Sequence, residues 1–161
     1  MTSETKAGLS GNQKRKMKSA ARFFAVQALY QMEHSDQTYD QVRVQFLDHR
    51  FGEIFDGYEM LEGDVPLFSS LLEEAVNNQA LIDQMTDRAL VAKWPLGRID
   101  STLRALFRAA GAELTQMDTP PKVVIVEFVQ IAQAFFPEGK EGRFVNGVLD
   151  HMAREAKPEA F

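Results

Sequence analysis

Residues Lys122 to Phe136, KVVIVEFVQIAQAFF, are the most apolar stretch of the chain, and their reading decides the fold. The polar members Glu127, Gln130 and Gln133 recur every third residue. That spacing lines them along one narrow stripe of a helix, whereas a strand would scatter them over both faces. The run Val123-Val124-Ile125-Val126 argues the other way, because β-branched side chains are stiff at χ1 and suit a strand. The helical spacing is the stronger signal and predicts a helix. A helix apolar around most of its circumference has to be enclosed by other elements, so this one is expected to be the central post of a helical bundle. It is too short and too interrupted to span a bilayer.

Working outward, Asp118-Thr119-Pro120-Pro121 stops the helix before it and starts the post. Upstream, Leu103, Leu106, Phe107, Ala110 and Leu114 form a buried stripe on a helix that Asp100 or Ser101 caps, with Arg104 and Arg108 four apart on its solvent side. Downstream, a loop from Pro137 to Gly142 leads into a last helix containing Phe144, Val145, Val148, Leu149 and Met152. Gly147 interrupts that pattern at a cost of about 1 kcal/mol relative to Ala, which predicts a close backbone approach between helices.

The remaining chain is helical by the same criteria. Ala21, Phe24, Ala25, Ala28, Leu29 and Met32 predict a first helix from Met17 to His34 or Ser35, and a short second helix covers Tyr39 to His49. Residues 50–63 hold Gly between acids and aromatics and read as a connecting loop anchored by Ile54 and Phe55. Asp64, with Pro66 in the first turn, starts a third helix that ends at Asn77 or Asn78. Leu81, Ile82, Met85, Ala89 and Leu90 continue into a fourth, which Trp94-Pro95 terminates at a corner. The fold class expected is all-α, six or seven helices and no sheet, in one domain over residues 14–157. A disordered tail over residues 1–13 and a short tail over 158–161 flank it.

A chain of 161 residues with 45% hydrophobic content supports one real core. Without cysteine, disulfide frameworks, thiolate zinc sites and cysteine nucleophiles are excluded. No apolar region follows the N-terminal charges, so no secretory signal is read there and a cytoplasmic location is expected. The net charge of −5 is unevenly spread. Residues 1–22 carry six cations (Lys6, Lys14, Arg15, Lys16, Lys18, Arg22) against Glu4, a balance of +5, and the rest carries twelve against twenty-two, a balance of −10. A helix N-terminus carries partial positive charge, so cations there cost roughly 0.3–1 kcal/mol each. Stability does not explain the cluster, and an anionic ligand is one account of it. A solvated tail is the other.

Enzyme signatures are lacking: there is no nucleophile with a base, no paired carboxylates and no phosphate-cradling glycine loop. His34, His49 and His151 have no ligand spacing and read as surface or helix-end residues. No metal or cofactor is expected. Glu127 reads as one arm of a structural salt bridge.

Four segments taken together, Ala20 to Tyr30 (AARFFAVQALY), Trp94 to Ile99 (WPLGRI), Pro120-Pro121-Lys122-Val123 with Glu127, and Arg143 to Asp150 (RFVNGVLD), resemble the NusB family of bacterial transcription antitermination factors. The resemblance runs from about residue 14 to 157. It implies two packed helical subdomains and a non-enzymatic RNA-binding adaptor that engages boxA RNA of ribosomal RNA operons together with the small-subunit ribosomal protein NusE. The complex, with other Nus factors and RNA polymerase, keeps polymerase from terminating. By position, the family's arginine-rich start of the first helix falls on Lys14, Arg15, Lys16, Lys18 and Arg22. Tyr30 falls at the edge of the RNA and NusE surfaces, and Asp100 on the NusE side. Phe136, Lys140 and Arg143 are further candidates for base contact, Phe136 alternatively being plain core. Both monomers and homodimers occur among such proteins.

The chain also departs from the family pattern. Ile125-Val126-Glu127 stands where Ile-Asn-Glu is usual, Ile131-Ala132-Gln133 where Leu-Ala-Lys is usual, and Glu141-Gly142 lacks the usual serine. These changes bear on RNA contact, not on the fold. The competing readings are a helical RNA-targeting domain like those preceding RNA cytosine methyltransferase domains, and a helical adaptor that binds proteins alone.

Overall fold

The computed structural model describes residues 10–50, 54–55, 58–59, 64–93 and 99–161. Among them lie seven α-helices: α1 Gly11–Glu33, α2 Tyr39–His49, α3 Val65–Asn77, α4 Gln79–Lys93, α5 Ser101–Gln116, α6 Pro121–Phe135 and α7 Glu141–Ala156. The apolar stretch of α6 is a helix, as its polar spacing requires. Capping residues explain most starts. Ser10 and Gln13 form a capping box, Ser10 Oγ accepting from the Gln13 amide (3.1 Å) and Gln13 Oε1 from the Ser10 amide (2.8 Å). That box starts α1 at Gly11, well before Met17, so residues 11–13 of the expected tail are helical. Thr38 and Gln41 form a second box at α2. Asp64 Oδ1 accepts from the Leu67 amide (3.0 Å) and Asp100 Oδ1 from the Thr102 amide (2.7 Å), starting α3 and α5 as read from the sequence.

The connection after α2 contains β1 (Ile54–Phe55) and β2 (Tyr58–Glu59), a minimal antiparallel ladder pairing Ile54 with Glu59 and Phe55 with Tyr58. Read from sequence as a plain loop, it holds Asp56-Gly57 between the two strands, a strong two-residue hairpin signal. The anchoring role expected of the Ile54 and Phe55 side chains, and the Trp94 corner, lie outside the described residues. Two residues per strand leave the fold all-α.

The enclosed post is α5, not α6. Every residue from Ala105 to Leu114 is buried, and α5 packs against α1, α3, α4, α6 and α7. Around it stand α1 to α3 on one side and α4, α6 and α7 on the other, with α1 also touching α6 and α3 touching α4. On α6, Val123 and Val126 remain 44% and 54% exposed. Its buried side, Val124, Ile125, Phe128, Ile131 and Ala132, faces the bundle. Side-chain size decides between the two: Ala105, Ala109, Ala110, Gly111 and Ala112 let neighbours close on α5 from all sides, whereas the bulk of α6 serves one face. A Cβ at Gly111 would stand 2.4 Å from Ile82 Cγ2, so the close approach expected at Gly147 occurs here instead. A Cβ at Gly147 would meet nothing within 4 Å.

Two further expectations are corrected. Arg108 is not on the solvent side: it is 9% exposed, its Nε and Nη2 donating to Asp83 (both 3.0 Å) and its Nη1 to Glu33 (2.8 Å). This ties the end of α1 to α4 and α5. Residues 158–161 do not trail off; Pro158–Ala160 is a 3-10 turn, and the Phe161 ring lies 4.4 Å from the Arg154 guanidinium. No helix among the described residues is long and apolar enough to cross a membrane.

Candidate nucleic-acid interface

Lys14, Arg15, Lys16 and Lys18 occupy the first two turns of α1 and are all exposed. Among the described residues none of them makes an ion pair. The capping box places them on a formed helix, where their spacing is set before any ligand arrives. The backbone bond from the Asp64 amide to the Met17 carbonyl (3.0 Å) clamps this segment to the start of α3.

Arg22, one turn further, does not belong with them. It is 4% exposed. Its Nε and Nη2 donate to the two carboxylate oxygens of Glu113 (2.8 and 2.7 Å), and its Nη1 donates to Glu127 Oε1 (2.7 Å). Ser19 Oγ donates to that same Glu127 oxygen (2.6 Å). Burial opposes the charge on Arg22, but the hydrogen bonds and charges of Glu113 and Glu127 outweigh it and raise its pKa above the ordinary arginine value. Bidentate pairing of this kind leaves no fork for a phosphate. Arg22 is therefore a rivet joining α1 to α5 and α6, and the reading of Glu127 as a salt-bridge arm holds.

Two grooves flank the basic turns. On the α6 side, Arg15 and Lys18 face Thr119, Pro120 and Val123, with the Arg22–Glu127 pair between them. Glu127, the carboxylate there, is engaged by Arg22 and Ser19, although Arg22 is shared with Glu113. On the α3 side, Lys18 shares its groove with Asp64 and Glu74, which repel a polyanion. Electrostatics thus favours the α6 side. The wall between the grooves is anchored by Lys157, whose Nζ donates to the carbonyls of Met117 (2.5 Å) and Thr119 (3.3 Å).

Tyr30 is 40% exposed, its ring 4.3 Å from that of His34. It lines a concavity with Gln27, Arg50, Thr102 and Phe135. Asp100 caps Thr102, so the structure brings Tyr30 and the Asp100 end of α5 to one place. Phe136 is half-buried against the core, consistent with its alternative reading. Lys140 and Arg143 are exposed, but Glu138 and Glu141 accompany them and cancel their charge. They also stand at the opposite end of α6 from Arg15 and Lys18, and a helix of 15 residues is about 22 Å long. The structure does not join them to the basic turns.

Two aromatics escaped the sequence reading. Phe23 and Phe135 stack with ring centroids 5.1 Å apart and planes 10° from parallel, joining α1 to α6 beside the Tyr30 concavity. Phe135 and Phe136 are indistinguishable in a list of apolar residues. The signal lay in the α1 periodicity, where Phe23 and Tyr30 are seven apart and share a face.

Comparison with known proteins agrees with this architecture. The family model described as the NusB family matches residues 19–154. The transcription antitermination protein NusB of Maricaulis maris is 42% identical over 162 residues, covering 100% of both chains. That of Caulobacter vibrioides is 45% identical over 150 residues, covering 92% of this chain and 99% of its own. The solved structure of T. maritima NusB is 30% identical with a TM-score of 0.68, covering 89% of this chain and 96% of that one. A crystal structure of antitermination factors NusB and NusE in complex with dsRNA shares the fold, with a TM-score of 0.67 at 23% identity over 86% of this chain and 97% of that one.

Proposed function

The chain belongs to the NusB family, and from that premise we propose that it is a transcription antitermination factor, an adaptor that binds boxA RNA of ribosomal RNA operons together with NusE. Through that complex it acts with other Nus factors and RNA polymerase to keep transcription from terminating. The observation that carries the RNA reading is local. On a chain of net charge −5, four uncommitted cations are gathered on the first two turns of α1, beside a groove whose carboxylate is already paired. Cations at that end of a helix cost stability, and neutralising phosphates compensates them.

In this reading Lys14, Arg15, Lys16 and Lys18 neutralise phosphates. Tyr30, with the stacked Phe23–Phe135 pair behind it, supplies an aromatic surface for unstacked bases. Tyr30 and Asp100 meet NusE at the far end of α1. Three of the four cations are lysines, which hold phosphates as point charges without bidentate geometry.

The test is binding of a boxA-type oligoribonucleotide, with and without NusE, over a range of salt. Each phosphate contact on a single strand contributes a slope of about −0.7 in log K against log salt, so three or four contacts give roughly −2 to −3. Replacing all four cations by alanine is expected to weaken boxA and control RNA together and to flatten the slope. Unaltered affinity and slope would make the cluster a solvated surface and move the RNA site onto the body.

A further inference from the structure

We propose that the first two turns of α6 form an apolar ledge that receives the base and ribose faces of the RNA strand whose phosphates the start of α1 neutralises. The inference rests on the RNA-binding reading above. Val123 and Val126 are 44% and 54% exposed. Three apart, they present one face of α6, with Cβ atoms about 5–6 Å from each other. Val123 lines the same groove as Arg15, Lys18 and Pro120. Lys122 is exposed beside them.

The charges around the ledge favour a polyanion. Glu127, the carboxylate in the groove, is held by Arg22 and Ser19. Arg15, Lys18 and Lys122, unpaired among the described residues, outweigh the single negative charge that the Arg22–Glu113–Glu127 cluster retains. A phosphodiester backbone held by Arg15 and Lys18 leaves its bases to be placed, and their faces are apolar enough to gain from covering the valines. The ledge is also small. A stable protein interface buries about 800 Å² per partner, far beyond two half-exposed valines, whereas one or two nucleobases match their width.

The experiment uses the full chain, the double variant Val123→Ser/Val126→Ser, and the single variant Val126→Ser as a control for folding. The probes are a single-stranded boxA-type oligoribonucleotide and an abasic strand of the same length, which carries the phosphates without the bases. The exposed parts of the two valines together amount to about one side chain, and covering them is worth roughly a ten- to hundredfold change in affinity. The double variant is expected to lose that much on the base-bearing strand, to bind the abasic strand as the unaltered protein does, and to keep the same salt slope. Unaltered affinity for the base-bearing strand overturns the ledge. If the four-alanine variant of α1 then still loses binding, the RNA reading stands without it; if the unaltered protein binds neither strand, both fail. Weaker NusE binding with unchanged RNA affinity also overturns it, making the valines a protein contact.

Discussion

Helices α5 and α6 invert what their compositions suggest. The sequence of α6 is the more continuously apolar, with four β-branched residues in a row, yet two of those four are about half exposed. The sequence of α5 is interrupted by Arg104, Arg108, Gly111 and Glu113, yet Ala105 to Leu114 is buried without a gap. Centrality follows from how closely neighbours can approach and from whether polar side chains find partners. Alanine and glycine allow the approach on α5, and Arg108 and Glu113 are each paired with opposite charges.

The comparison breaks most readily at Glu113. Its carboxylate is fully buried and accepts from both Arg22 Nε and Nη2, so removing it strands two donors of a charged group in the interior, although Glu127 still balances the charge. Glu113→Ala is expected to cost about 3–5 kcal/mol, read as a lowered denaturant midpoint. Next comes Gly111→Val, which drives carbon into Ile82 and into Met152 Cε (2.4 and 3.3 Å from a Cβ). Overpacking of that kind costs roughly 1–3 kcal/mol, whereas Gly147→Ala, with open space around it, should stabilise α7. Equal effects at the two glycines would erase the distinction between α5 and the helices around it.

At the N-terminus of α5, structural and binding roles meet. Asp100→Ala removes the cap on Thr102 and should cost about 1 kcal/mol, while Asp100→Asn retains a good cap and removes the charge. If Asp100 faces NusE, the asparagine variant weakens NusE binding at unchanged melting temperature. Charge reversal is the poorer test, because it destroys the cap.

Smaller still is the acid response of Glu33. The hydrogen bond and charge of Arg108 hold its carboxyl below the ordinary glutamate value. A carboxylate depressed on folding stabilises fully above its unfolded pKa, near 4.3, and loses that contribution as pH falls through the folded value. With its side chain 47% exposed, solvent screens most of the effect. Glu33→Gln should lower stability slightly near neutrality, where the carboxylate contributes fully, and flatten the fall in stability below pH about 4.3. Smallest of all, Val126→Ser should alter stability by less than about 0.5 kcal/mol, since its side chain is half in solvent already. A large loss would place α6 back at the centre.

Periodicity and caps made the helices legible: Tyr39–His49 begins and ends as read, and Asp64 and Asp100 start their helices. These are local properties, since a cap needs only its own first turn. The basic cluster was legible for the same reason, as charge sign and spacing along one helix require no knowledge of neighbours. The motifs likewise pointed to the NusB family, whose model spans residues 19–154. Tertiary structure alone decided which cations are free. Lys18 and Arg22 are four apart and look equivalent in the chain, but only Arg22 meets carboxylates, from residues 91 and 105 positions away. It decided in the same way that Gly111 and not Gly147 is the point of close approach, and that α5 and not α6 is enclosed. Burial and pairing depend on which helices touch, and such contacts join residues whose separation along the chain carries no periodic trace.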